Sequence, residues 1–327
     1  MTDTEKHSNI SSPRTADPEG FTDAGKAVAR LQELYQQATE FLATAFAETR
    51  QSGAKGQRFR AYYPEIRLTC RSYSTVDSRL SFGHVAGPGT YATTVTRPDL
   101  FANYLRQQIT LLLENHQTEI FIGPSKTPIP IHFALLNDTA LSPSAATAAE
   151  FSLRDVFDVP DLTTTNDDIV NGVFKSASDG TDPLGPFTAQ RVDYSLARLA
   201  HYTATDVEHF QNYVLFTNYQ FYVSEFEAYA RQALADPESG YTSFVSPGNQ
   251  IITDPKADIP TTGSTPQMPT YHLTRANGNG ITLVNIGVGP SNAKTATDHI
   301  AVLRPHAWVM LGHCAGLRNS QSLGDFV

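Results

Sequence analysis

The chain has 327 residues, 40% hydrophobic and 17% charged, with a net charge of −9, which is apolar material enough for about two domains with proper cores. That acidity argues against a general nucleic-acid or anionic-membrane surface, while leaving room for a local basic pocket that takes one phosphate. No stretch approaches the roughly 18 apolar residues of a membrane span, and the polar N-terminus lacks the apolar segment of a secretory signal, so the expected compartment is the cytoplasm.

Residues 1–22 are rich in Ser, Thr, Pro and acidic residues and read as a disordered tail. From Asp23 onward, Val28, Leu31, Leu34, Tyr35, Ala38, Phe41, Leu42, Ala45 and Phe46 recur at spacings of three and four, which predicts an amphipathic helix with one buried face. "QSGAKGQ" stops it. "YPEIRLTCRS" and "GPGTYATTVTR" alternate between glycine and proline boundaries and predict strands. "DLFANYLRQQITLLLEN" predicts a second helix, with Asp99 placed to cap it. "EIFIGPS" and "PIPIHFALL" read as further strands, which together give an α+β domain over about residues 23–140.

Residues 141–187 are poor in pattern. The aromatic-rich segment "RVDYSLARLAHYTATDVEHFQNYVLFTNYQFYVSEFEAYARQAL" reads as helix in two or three pieces, its Tyr and Phe residues serving core and subunit interface. A loop-like stretch follows to Thr270, with a boundary near Gly263. Cys70 and Cys314 are the two cysteines; they make neither a disulfide framework nor a paired zinc motif.

The last segment, "GITLVNIGVGPSNAKTATDHIAVLRPHAWVMLGHCAGL", predicts a βαβ unit. The apolar run Ile281–Val288 suits a buried parallel strand, Gly287 and Gly289 allow a tight turn, and Pro290 suits a first helical turn. "AWVMLGHCAGL" reads as a second buried strand leading into another small-residue loop, and both loops fall at strand C-terminal ends, where open α/β sheets bind ligands. Three readings compete: glycines needed only for turns, a dinucleotide site, or a resemblance to a known family. The dinucleotide reading is weakened because Asn292 replaces the third glycine and no acidic residue ends the second strand.

The order strand, "GVGPSN", helix, strand, "GHCAGL", "SLGDFV" resembles the first half of the nucleoside phosphorylase/nucleosidase superfamily. Residues 191–205, 214–219 and 281–295, together with "YATTVTRPDLFANYL" at 91–105, are similar to the AMP nucleosidase family. The resemblance runs from about Leu31 to Val327. It implies an α+β regulatory domain over 23–180, a helical, aromatic-rich connecting region over 181–265, and the first part of an α/β nucleoside phosphorylase-like catalytic domain over 266–327. It further implies hydrolysis of AMP to adenine and ribose 5-phosphate, MgATP as allosteric activator, phosphate as inhibitor, a homohexamer, and neither metal nor catalytic cofactor.

Cleaving an N-glycosidic bond requires stabilising an oxocarbenium-like sugar and protonating the departing purine. Hexameric phosphorylases of the superfamily carry Arg two residues before the glycine of the second loop and Ser just after it, both serving phosphate. Here those positions are Met310 and His313, and a thioether cannot hold a phosphate dianion; the departure favours water as nucleophile. Gly287, Gly289, Ser291 and Asn292 are expected to offer donors to the sugar or water at a helix N-terminus, although Ser291 and Asn292 would equally serve as caps. His313 is a candidate for water or ribose, and Cys314 is expected to be a packed thiol. Cations for the 5′-phosphate are Arg191, Arg198, His201 and Arg318, of which Arg198 and His201 share a helix face. The general-acid aspartate implied by the resemblance is expected beyond Val327, so the chain reads as a truncated form whose turnover alone would contradict that expectation. The alternative is a non-catalytic nucleotide-sensing or assembly module.

Overall fold

The computed structural model describes residues 10–13, 16–53, 56–73, 83–85, 87–135, 151–175, 178–258 and 266–326; the start of the tail, residues 141–150 of the pattern-poor stretch, and the Gly263 boundary lie outside them. The chain divides into two compact units, Met1–Ala197 and Arg198–Val327. Among the described residues no helix is long and apolar enough to cross a membrane.

The first unit is organised by helix α1, Ala24–Ser52. Asp23 caps its N-terminus by accepting from Lys26 N at 2.8 Å, and Gly53 ends it at φ 77°, a conformation that glycine adopts without steric cost. Its buried face, including Ala27, Val28, Leu31, Leu42 and Phe46, keeps the predicted spacing. The strands of this unit are β1 (Ile10–Ser11), β2 (Glu19–Phe21), β3 (Arg58–Phe59), β4 (Tyr62–Cys70), β5 (Gly89–Thr94), β6 (Ile120–Pro128) and β7 (Thr181–Pro183). Five of them form a sheet in the order β2-β6-β4-β5-β7, antiparallel except for the β5–β7 pair. Helix α2, Ala102–His116, joins α1 in a core where Ile109 and Leu112 meet Val28, Leu31, Ile66, Leu68, Ile120 and Ile122. Each such fully buried aliphatic side chain contributes about 1.5–3 kcal/mol.

Three expectations are corrected in this unit. Residues 19–21 of the supposed disordered tail pair with β6 as an edge strand, and Ile10–Ser11 pair parallel with β3. "PIPIHFALL" is a strand only in its first residue; Ile131–Ala134 is a single helical turn. Asp99 does not cap α2, whose N-cap is Phe101 with no side-chain bond. Its carboxylate is drawn instead to the Arg97 guanidinium, with Nε and Nη2 at 3.3 and 3.1 Å, a bidentate charge-assisted pair that outcompetes a single cap bond.

Helix α3, Ala189–Thr203, begins in the first unit, where Thr94 Oγ1 accepts from Ala189 N at 2.9 Å and Thr188 Oγ1 from Arg191 N at 3.2 Å. Asp193 in its second turn is wholly buried. Tyr63 Oη donates to Oδ2 at 2.5 Å and Thr96 Oγ1 to Oδ1 at 2.7 Å. Burial dominates over these bonds and pushes the carboxyl pKa up to about 7.

The second unit contains β8 (Tyr213–Thr217), helix α4 (Gln220–Ala235), β9 (Tyr241–Ser246), β10 (Gln250–Ile252), β11 (Thr270–Arg275), β12 (Ile281–Asn285), helix α5 (Pro290–Ile300) and β13 (Ala307–Leu311). The sheet order is β10-β9-β11-β12-β8-β13. β12 and β13 each run parallel to β8, which lies between them, and the remaining pairs are antiparallel. The segment read as helix in pieces therefore contains the central parallel strand, "YVLFT", and the loop-like stretch supplies β10. The core gathers Val223, Phe226 and Ala230 of α4 against Phe244, Leu273 and Leu283. β13 forms the expected strand but is not buried: at the sheet edge, Trp308, Val309 and Met310 are each about half exposed.

His272 on β11 is wholly buried in this unit. Gln211 N donates to Thr282 Oγ1 at 2.8 Å, which directs the Thr282 hydroxyl proton at His272 Nδ1, 2.9 Å away. The imidazole then carries its proton on Nε2 and donates to Thr205 Oγ1 at 3.0 Å, a tautomer assigned by the network. Thr205 passes the bond to Thr203, which ends it on Leu199 O at 2.8 Å. Desolvation, reinforced by His209, holds the His272 pKa well below the ordinary histidine value.

Candidate functional site at the carboxyl edge of the parallel strands

The register places Asn285 and Leu311 each opposite Thr217, so the three parallel strands end level. The next residues, Ile286, Asn218 and Gly312, open three loops on one edge of the sheet, the edge where α/β proteins hold ligands. Thr217, with no exposed surface, ties two of these loops together. Its carbonyl accepts from Ile286 N at 2.8 Å and its hydroxyl oxygen from Tyr219 N at 3.2 Å.

The glycine loop is shaped by backbone demands. Gly287 sits at φ 64° and Gly289 at φ 118°, conformations that side chains resist, and Gly287 N bonds Asn285 Oδ1 at 3.1 Å. Gly289 is the N-cap of α5 and no side chain caps the first turn. Ser291 is exposed within that turn, and the Asn292 amide donates backward to Val288 O at 3.5 Å. Neither residue is a cap, so the amides of this turn stay available to an anion or a sugar oxygen.

On the far side of β8, His313 is exposed, its ring 5.6 Å from Tyr219 and 6.2 Å from Tyr222. A Cβ at Gly312 would lie 3.7 Å from Asn218 Oδ1 and from the Tyr219 ring. Asn218 Oδ1 is buried and has no hydrogen-bond partner among the described residues. Met310, two residues before Gly312, is half exposed on the edge strand. Cys314 is exposed, which corrects its reading as a packed thiol; the loop that carries it lies past the end of β13 and is exposed throughout residues 312–320.

The fold thus sets Gly287, Gly289 and His313 on loops, and Ser291 and Asn292 in the first turn of α5, at one edge of the sheet. Arg198 and His201 are elsewhere. The Arg198 guanidinium lies 4.4 Å over the Tyr202 ring and bonds its hydroxyl, and His201 packs 5.5 Å from the same ring. Tyr202 in turn stacks 6.1 Å from His299, in the last turn of α5, about 12 Å along the helix axis from Ser291. Arg191 belongs to the first unit, buried and paired with Asp167 at 2.7 Å. Sequence reasoning did not single out Asn218, Tyr219 or Tyr222 as site residues. The signal that could have found them is the polar turn "TNY" directly after the apolar run "VLF".

Residues 26–181 match the family described as bacterial AMP nucleoside phosphorylase N-terminus. The AMP nucleosidases of Escherichia coli strain K12 and of Escherichia coli O157:H7 are each 40% identical over 321 residues, covering 94% of this chain and 65% of theirs. The chain therefore spans 65% of the length of these relatives. A crystal structure of AMP nucleosidase from Bacteroides thetaiotaomicron VPI-5482 is 26% identical, covering 41% of this chain and 45% of that one, with a TM-score of 0.28, too low to carry an argument about fold. The chain is similar to AMP nucleosidases over nearly its whole length.

Proposed function

We propose that the chain acts in AMP hydrolysis, as a hydrolase of N-glycosyl compounds that yields adenine and ribose 5-phosphate. The observation that carries this reading is the 40% identity over 94% of the chain to relatives named AMP nucleosidase. The loops 287–292 and 312–317 that resemble the family stand on the ligand-binding edge of a partly parallel sheet, which agrees with it. In the reaction the bond from the anomeric carbon to the purine nitrogen breaks and the pair of electrons leaves with the base, which takes up a proton, while a water oxygen closes on the sugar carbon and gives one up. The chain's contribution at this edge is electrostatic and positional. The uncapped first turn of α5 presents N–H groups toward negative charge, and Gly287 and Gly289 let a ligand approach the backbone closely.

Water is the assigned nucleophile because neither Met310 nor His313 supplies the guanidinium and hydroxyl that would seat inorganic phosphate. The family description matched by residues 26–181 names a phosphorylase and the relatives' names a nucleosidase; the chemistry of these two positions supports the second. Arg198 and His201 lie away from the loops, so the sugar–phosphate end of AMP is assigned to the glycine loop rather than to them. Residues 26–181 are assigned the response to ATP as activator and phosphate as inhibitor, within a cytoplasmic homohexamer, on the resemblance alone.

The test is direct. Calorimetric titration with AMP and with ATP is combined with chromatography of AMP incubated with the protein. AMP binding is the expected result; release of adenine and ribose 5-phosphate would place the general acid among these residues. ATP binding with neither AMP binding nor turnover would replace this reading by that of a nucleotide-sensing module.

A further inference from the structure

Asn218 is the first residue beyond the central parallel strand, and the level ends of β12 and β13 put it between the glycine loop and the His313 loop. Its Oδ1 is out of contact with solvent and accepts no hydrogen bond from any of the described residues. A buried amide oxygen left unpaired costs about 1–3 kcal/mol, and nearly all such atoms in folded proteins are paired. Beside it the chain carries the exposed Gly312, where a Cβ would stand in ordinary contact with that oxygen, at 3.7 Å. The nearby backbone needs are already met by Thr217, through Ile286 N and Tyr219 N, so Asn218 is not required to hold the loops together.

We propose that Asn218 is a positioning residue whose carboxamide oxygen accepts a hydrogen bond from a ligand hydroxyl, the ribose hydroxyl of AMP or a water held against the sugar. This rests on the AMP reading above and deepens it. The donor must be an O–H rather than a phosphate oxygen, because an amide oxygen repels an anion and attracts a proton. A site that completes a buried acceptor in this way discriminates sharply against a ligand lacking the hydroxyl, since the orphaned oxygen returns when that ligand binds.

The experiment is calorimetric titration of the whole chain with AMP, 2′-deoxy-AMP and 3′-deoxy-AMP, for the wild type, Asn218→Ala and Asn218→Asp, with thermal midpoints as the folding control. The wild type is expected to favour AMP over one deoxy analogue by about tenfold; Asn218→Ala loses that preference, and Asn218→Asp, which keeps an acceptor, retains it. Equal weakening of all three nucleotides in Asn218→Ala, without a wild-type preference, assigns the contact to water. The midpoint of Asn218→Ala should equal or exceed that of the wild type, because an unpaired buried oxygen is removed, whereas a merely structural asparagine would lower it. Unchanged affinities in Asn218→Ala overturn the proposal while leaving the AMP reading intact; a wild type that binds none of the three overturns the AMP reading and this proposal with it.

Discussion

Tyr63 Oη donates to Asp193 Oδ2 at 2.5 Å, joining strand β4 to the second turn of α3 through a carboxyl group with no exposed surface. Tyr35, Thr96 and Arg97 complete its surroundings. The folded-state pKa, raised to about 7, lies above the unfolded value of about 3.9. The folded state therefore binds the extra proton between these values. Its contribution to stability is full below about pH 4 and is lost as pH rises to about 7, with a slope of up to about 1.4 kcal/mol per pH unit. Asp193→Asn should abolish that slope in denaturant titrations of the first unit, and Tyr63→Phe should lower stability by about 1–3 kcal/mol through the acceptor left unpaired. A pH dependence unchanged in Asp193→Asn would refute the assignment.

His272 behaves with the opposite sign. Its folded pKa is depressed below the unfolded value of about 6.5, so the unfolded chain takes up the proton first. Stability that is complete above about pH 6.5 should fall as pH drops below it, until the folded pKa is passed. Protonation would also put a second donor on Nδ1, facing the proton that Thr282 directs at it. Thr282→Val, which removes that hydroxyl and strands Gln211 N, should cost about 1–3 kcal/mol. Circular dichroism melts between pH 4 and 8 measure both effects.

Gly287 tests the loop backbone apart from its packing. A Cβ there would touch Asn292 Nδ2 only at 3.5 Å, an ordinary contact, yet φ is 64°. Gly287→Ala should cost about 1–2 kcal/mol from the left-handed conformation and weaken AMP binding, whereas Lys294→Ala, an exposed residue of α5, should change neither. Equal AMP affinity for Gly287→Ala and wild type would remove the glycine loop from the ligand site.

Met310 tests the nucleophile. Its half-exposed position on the edge strand accepts a longer side chain without steric conflict. With inorganic phosphate present, adenine release by the wild type should give ribose 5-phosphate and no sugar 1-phosphate. Met310→Arg should divert part of the product to the sugar 1-phosphate, since a guanidinium can clamp the dianion. A 1-phosphate product from the wild type would reverse the choice of water.

What could be read from residue order alone was whatever a short-range pattern encodes. The spacing of Val28, Leu31 and Leu42 announces α1, and "GVGP" announces the turn into α5. Composition failed where tertiary pairing decides. Glu19–Phe21 is too short to show a pattern, and it is a strand because β6 offers it an edge. "YVLFT" lies among aromatic helical residues, and its strand state comes from two parallel neighbours far along the chain. In the candidate site the glycines were legible from their conformational role. Asn218 was not, because its significance is an unpaired buried atom, a property that exists only after folding. Arg198 and His201 were chosen by charge, and charge carries no information about which end of α5 they face.

The placement of β8 between β12 and β13 also sets a schedule for making the protein. A ribosome releases β8 about 70 residues before β12 and about 95 before β13, or several seconds earlier at ordinary elongation rates of 5–20 residues per second. Until then the apolar "YVLFT" strand has no parallel partner on either side, and closing such long loops is slow. Successful synthesis should therefore depend on whatever shelters that strand in the interval, and slowing translation after residue 217 should raise the fraction lost to aggregation.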